Sequence, residues 1–141
     1  MANSRYIKGQ RSGALPEYLD QELRRIEMMF MPPTWVPVTF QNGWANFGGI
    51  YETAAYYKSI SGFVYVRGLV AGGTLAAFPG AAIFTLPADC RPRADLLFAQ
   101  DSNPAAHIRV DVKTDGTVRP IANGVSTNIH VSINFSFFAG G

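Results

Sequence analysis

Gly62-Phe63-Val64-Tyr65-Val66-Arg67-Gly68-Leu69-Val70-Ala71-Gly72-Gly73-Thr74 is followed, after a short link, by Ile83-Phe84-Thr85-Leu86-Pro87-Ala88-Asp89-Cys90-Arg91-Pro92. Residues 63–70 are an apolar run broken only by Arg67 and Gly68. Their length and their β-branched and aromatic content argue for a buried strand over a helix. Large side chains fall on both faces: Phe63, Tyr65 and Leu69 on one, Val64, Val66 and Val70 on the other. One face fills a core; the other calls for a second sheet or a neighbouring subunit. Gly72-Gly73 ends the strand, since glycine reaches backbone angles other residues avoid. Residues 83–86 read as the next strand, stopped by Pro87, which has no N–H for the ladder.

Strands and turns continue on either side. Residues 35–40, with Pro37, read as an edge strand, and Asn42-Gly43 as a turn. Residues 51–60 and 62–70 are expected to pair as a hairpin around Ser61-Gly62. Residues 75–82 are a loop, 96–99 a short strand, and 101–104 a turn. Residues 107–113 alternate, with Ile108, Val110 and Val112 inward and His107, Arg109, Asp111 and Lys113 outward. Asp115-Gly116 makes a tight hairpin into 117–121, and Asn123-Gly124 a further turn. Residues 128–138 are the longest alternation: Ile129, Val131, Ile133, Phe135 and Phe137 against His130, Ser132, Asn134 and Ser136. About eight strands at this spacing predict a mainly β fold, an antiparallel sandwich or jelly-roll-like head.

The N-terminal part differs. Residues 1–14 are polar and basic, with Arg5, Lys8 and Arg11 and only Tyr6 and Ile7 to bury; they read as an extended docking arm. Residues 15–32 read as a helix and its exit, with Pro16 in the first turn, Glu17, Asp20 and Glu22 early, and Arg24 and Arg25 later. Leu19, Leu23, Ile26 and Phe30 form a heptad-like seam. The seam has two possible homes, the protein's own head or copies of itself at a threefold axis; self-association is favoured. Pro32-Pro33 ends the helix, and residues 33–141 form the head.

Of the 141 residues, 48% are hydrophobic and only 16% charged, so the chain has little charge to cover a free surface. A net charge of +2 is too small to argue for a nucleic-acid partner. A single cysteine, Cys90, excludes an intrachain disulfide. No apolar run is long enough for a membrane-spanning helix, and the N-terminus lacks the apolar core of a secretory signal.

The strand ending Arg67-Gly68-Leu69-Val70, then Gly72-Gly73-Thr74, Ile83 to Ala88 and Arg91-Pro92, resembles the C-terminal head domain of tailed-phage fibre proteins. The likeness covers residues 34 to the C-terminus and rests on Gly68, Gly72, Gly73, Leu86, Pro87, Arg91 and Pro92. It implies a homotrimeric virion protein, assembled in the host cytoplasm and often acting as a receptor-binding tip. The expected order is anchor, stalk and tip: an arm docked on capsid, portal or tail, a helix, and a β head meeting a host surface glycan or protein. Two rivals share this head, a capsid decoration or head-fibre protein and a tail adaptor.

No catalytic pattern stands out. His107 and Asp111 share a strand face but lie roughly 13 Å apart by strand rise. Two histidines and one cysteine show no metal spacing, and no glycine-rich loop joins a strand to a helix. No enzyme, cofactor or metal is expected. Arg67 reads as a buried or half-buried arginine paired with a carboxylate such as Asp95 or Asp89, with a subunit salt bridge or a receptor contact as the alternatives. Trp35, Trp44, Phe47, Tyr51, Tyr56 and Tyr57 read as core or interface, with sugar stacking as the alternative. Subunit contacts are expected at Leu19, Leu23, Ile26, Phe30, Phe63 and Tyr65, and receptor contacts at Asp101, Asn103, Asp115, Asn123 and Ser126 in polar turns.

Overall fold

The computed structural model describes residues 14–103, 106–122 and 129–140. The expected docking residues Arg5, Tyr6, Ile7, Lys8 and Arg11, and the receptor candidates Asn123 and Ser126, lie outside the described residues. The chain divides into two compact units, Met1–Pro33 and Thr34–Gly141.

The first unit contains α1 (Ala14–Phe30). Arg24 and Arg25 fall short of its last turn and instead form ion pairs one turn back, with Asp20 at 3.2 Å and Glu22 at 3.0 Å. The seam residues Leu19, Leu23, Ile26 and Phe30 are all exposed, as are Met28 and Met29 beside them.

The second unit is all strand and turn: β1 (Val36–Pro37), β2 (Ala45–Asn46), β3 (Ala55–Lys58), β4 (Phe63–Arg67), β5 (Leu69–Ala71), β6 (Phe84–Thr85), β7 (Leu96–Ser102), β8 (Ala106–Val112), β9 (Thr117–Ile121), β10 (His130–Ser132) and β11 (Phe135–Phe138). They form a four-stranded sheet, β1-β3-β4-β11, and a seven-stranded sheet, β2-β5-β10-β7-β8-β9-β6. Every pairing between these strands is antiparallel. The fold is a mainly β, sandwich-like one, as the strand pattern predicts.

The strand count exceeds eight chiefly because the two longest apolar runs each break and change sheet. Residues 63–71 leave the four-stranded sheet as β4 and enter the seven-stranded one as β5; residues 130–138 make the reverse change from β10 to β11. They cross together, since β4 pairs with β11 and β5 with β10. At the crossing Gly68 has φ +140°, and a Cβ there would lie 2.6 Å from the Ala54 Cα. No other residue fits both the angle and the space. The joint is hydrogen-bonded on both sides. The Gly68 N–H donates to the Asn134 side-chain oxygen at 3.1 Å, and the Ile133 N–H donates to the Gly68 carbonyl at 2.9 Å. Gln100, buried on β7, accepts from the Asn134 N–H at 2.9 Å.

The alternation survives the crossing. Val64, Val66 and Val70, and Ile129, Val131, Ile133, Phe135 and Phe137, all point into the core. Ile108, Val110, Val112, Val118, Ile83, Phe84 and Leu86 meet them from the larger sheet. Phe98 of β7 stacks on Phe135 of β11 with centroids 4.6 Å apart, joining the two inner faces. Trp44 is also core rather than surface. Its ring occupies the space a Cβ on Gly73 would need, so Gly73 serves close approach rather than a special backbone angle. β7 runs three residues further than the spacing predicts. Asp101 and Ser102 are therefore strand residues, and the turn begins at Asn103.

Candidate functional site: a cleft beside the sheet crossing

The loop after β2 is tied to β5 at both ends. The Phe47 N–H donates to the Leu69 carbonyl at 2.9 Å, and the Leu69 N–H donates to the Glu52 carbonyl at 3.1 Å. This pinning presents two exposed rings, Phe47 and Tyr51, edge to face at 5.2 Å. His130 of β10 meets Phe47 on the other side at 5.0 Å, also edge to face. With Asp101, Ser132 and Asn134 these rings line a cleft of about 340 Å³, floored by Gly68 and Leu69. The Asn134 amide N–H donates to the Ser132 hydroxyl at 2.7 Å, which orients both groups at the cleft wall. Asn134 thus holds the sheet crossing with its oxygen and the cleft wall with its nitrogen.

The two carboxylates at the cleft have close partners. Glu52 pairs with Arg67 at 3.4 Å, and Asp101 with the His107 Nδ1 at 3.2 Å. Arg67 therefore meets neither Asp95 nor Asp89; its guanidinium also lies 4.1 Å from the Trp35 ring centroid. The reason is the sheet change, which turns Arg67 toward residue 52 of the neighbouring loop. Further along the seven-stranded face, Arg109 grips Asp111 through two hydrogen bonds of 2.6 and 2.7 Å. Asp111 is only 1% exposed, although its strand parity points it outward. It is an outward residue closed over by Arg109, and its hydrogen bonds hold the Arg109 guanidinium above its usual pKa. Lys113 pairs with Asp95 at 2.7 Å, and that bond, with the Thr114 N–H, lowers the Asp95 carboxyl below its usual range.

The expected receptor residues do not gather in one place. Asp101 and Asn103 lie at one end of β7, beside His107. Asp115 lies beyond the opposite end of β8, where Thr117 donates to it from hydroxyl and backbone and lowers its carboxyl pKa. Of the three that are described, only Asp101 lines the cleft. The cleft's aromatic members were legible as an aromatic-rich segment; His130 was not, because it comes from a distant part of the chain, and Glu52, next to Tyr51, carried no signal of its own.

The six aromatics of that segment separate. Trp44 is core, and Phe47 and Tyr51 form the cleft. Trp35 and Tyr57 join Tyr65, Phe63 and Phe138 on the outer side of the four-stranded sheet. There Tyr57 stacks on Tyr65 at 6.1 Å and Phe63 meets Phe138 at 5.0 Å. Phe63, Tyr65 and Phe138 keep 40%, 41% and 59% of their surface exposed.

Among the described residues, Cys90, His107, His130 and Ser132 each have other surroundings. Cys90 is buried in a 3-10 turn, and burial first, then Asp89, pushes its thiol pKa up, away from a reactive thiolate. His107 faces Asp101 and His130 faces Phe47; the Ser132 hydroxyl is engaged by Asn134. Among the described residues no three His, Cys, Asp or Glu side chains cluster as metal ligands, and no helix is long and apolar enough to cross a membrane.

No family model matches the sequence. No curated protein matches it either. Among solved structures, the chain is similar to the receptor-binding protein gp15 of Listeria phage PSA. The TM-score is 0.66 at 16% identity, over 95% of this chain and 82% of that one. At that identity the likeness is one of fold.

Proposed function

We propose that this protein is a non-enzymatic host-attachment component of a tailed-phage virion. The observation that carries the reading is the fold shared with a phage receptor-binding protein along nearly the whole chain. The residues that resemble fibre heads fit it. Arg91, for instance, donates to the Leu86 carbonyl at 3.1 Å and so closes the turn that Pro87 opens.

In this reading the protein is a short homotrimeric fibre or spike. Its N-terminal arm, with Arg5, Tyr6, Ile7, Lys8 and Arg11, docks on other virion proteins. The helix seam Leu19–Leu23–Ile26–Phe30 and the outer face around Phe63 and Tyr65 meet copies of the chain. Their exposure in a single chain supports that role, because contiguous apolar surface on a soluble protein marks an interaction site. The head meets the host surface through the Phe47–Tyr51–His130 cleft, with Asp101 on its rim.

Two measurements test it. Light scattering on the full chain should give three times the 15.4 kDa chain mass; a monomer at all concentrations would remove the fibre. Fluorescently labelled protein, offered to a panel of bacterial cell envelopes, should bind some and not others. Binding to none would remove host attachment.

A further inference from the structure

We infer that the cleft is one end of a longer groove that takes an extended chain of uncharged sugar units. This rests on the host-attachment reading and names the class of receptor.

Two shallower depressions continue from the cleft across the seven-stranded face. The first, about 380 Å³, shares Asp101, Ser132 and Asn134 with the cleft and adds Ala99 and His107. The second, about 270 Å³, shares Ala99 and His107 with the first and ends at Leu97 and Arg109. The path therefore crosses β5, β10, β7 and β8, which are consecutive in the sheet. Three strand spacings amount to about 14 Å, so a ligand filling the path has several units along it.

The lining selects the chemistry. At one end Phe47 and Tyr51 expose apolar ring faces, which suit the C–H side of a sugar ring. Along the middle, Asp101, Ser132, Asn134 and His107 supply acceptors and donors for hydroxyl groups. The charges exclude an anionic polymer. Arg109 is already held by Asp111 and Arg67 by Glu52, and the Asp101 carboxylate would repel phosphate or carboxylate groups. For a cationic ligand, Glu52 is already taken by Arg67 at 3.4 Å, and Asp101 has the His107 imidazole 3.2 Å away. An uncharged ligand meets no such penalty, and Ala99 leaves the centre of the path open where a larger side chain would close it.

The test uses the full chain and two variants at exposed positions, Tyr51→Ala and Ala99→Tyr, with Asn103→Ala as a control outside the groove. Probes are neutral oligosaccharides of one to six hexose or N-acetylhexosamine units and glycerol-phosphate oligomers of matched length, read by array and titration calorimetry. The best neutral series should gain at least tenfold in affinity from one unit to three or more. Tyr51→Ala should weaken every length at least tenfold. Ala99→Tyr should abolish the gain with length while leaving the single unit bound, and Asn103→Ala should change nothing. Far-ultraviolet circular dichroism identifies a variant that has lost its fold; Tyr51→Ser and Ala99→Leu then take its place. Preference for the phosphate series, affinity independent of length, or indifference to both groove variants overturns the inference. So does a change of solution mass in Ala99→Tyr without a change in saccharide binding, which would make the groove a subunit contact. Failure of this inference and of the host-attachment reading are separable. Envelope binding that survives Ala99→Tyr, with no saccharide bound, sinks the groove alone; saccharide binding with no envelope bound sinks attachment alone.

Discussion

The outer faces of the two sheets satisfy water in opposite ways. On the seven-stranded sheet, the outward Arg109 and Lys113 are paired with Asp111 and Asp95, and His107 lies 3.2 Å from Asp101. That face mixes paired charges with exposed Phe47, Tyr51 and Leu97 and is indented by shallow depressions. On the four-stranded sheet, Trp35, Tyr57, Tyr65, Phe63 and Phe138 lie side by side, with the Arg67–Glu52 pair near Trp35 as the adjoining charge. A face of the first kind is stable in solvent and recognises small polar groups from it. A face of the second kind loses free energy to water until a partner covers it. One domain thus offers two surfaces with different physical demands, joined by two strands that cross at Gly68 and Asn134.

The most damaging change to this arrangement should be at the joint. Gly68→Ala forces a side chain into a positive-φ position and against the Ala54 backbone. A loss of about 3 kcal/mol in urea unfolding is expected, from backbone strain plus overpacking. A loss below about 1 kcal/mol would mean that the sheets are not tied there. Asn134→Ala, which removes the acceptor for the Gly68 N–H and releases Ser132, should cost about 1 kcal/mol, since the site is partly open to water. It should also weaken ligand binding in the groove, a link that a purely structural residue would not show.

The paired substitution Tyr65→Ser with Phe138→Ser tests the aromatic face. The folded chain should lose little stability, because both rings are exposed, while the solution mass should drop toward that of one chain. An unchanged mass would move subunit contacts off the four-stranded sheet and leave the helix seam as the remaining one.

The smallest effect concerns pH. Asp95 and Asp115 have carboxyl pKa values lowered in the folded state, by Lys113 and by Thr117 first among the causes. Each therefore contributes stability that is complete above its unfolded pKa, near about 4, and is lost as pH falls through the lower folded value. Asp95→Asn with Asp115→Asn should lower stability at neutral pH by what the two carboxylates contribute there, and so flatten the acid limb of a stability–pH curve below about pH 4, where variant and parent converge. A steeper acid limb in the double variant would contradict the lowered pKa values.

The strand positions were readable because burial imposes period-two alternation, and that pattern needs only neighbouring residues. It placed Ile108, Val110 and Val112 inward, and it grouped Val64 with Val66, and Val131 with Ile133, Phe135 and Phe137, on faces that the structure buries. It failed at Asp111, whose outward parity says nothing of a neighbouring Arg109 folding back to cover it. It also left the partner of Arg67 wrong, because Glu52 becomes a neighbour only once β4 and β5 diverge.

The sequence by itself determined a mainly β fold preceded by a helix, with its alternating faces and most of its turns, since alternation, glycine and proline act over a few residues. Only the tertiary structure decided that two apolar runs change sheets. The same holds for which aromatics share a face and for how Phe47, Tyr51, Asp101 and His130 come to line one cleft. Those outcomes depend on packing between segments that lie tens of residues apart, and no local pattern encodes which distant side chain will fill a given space.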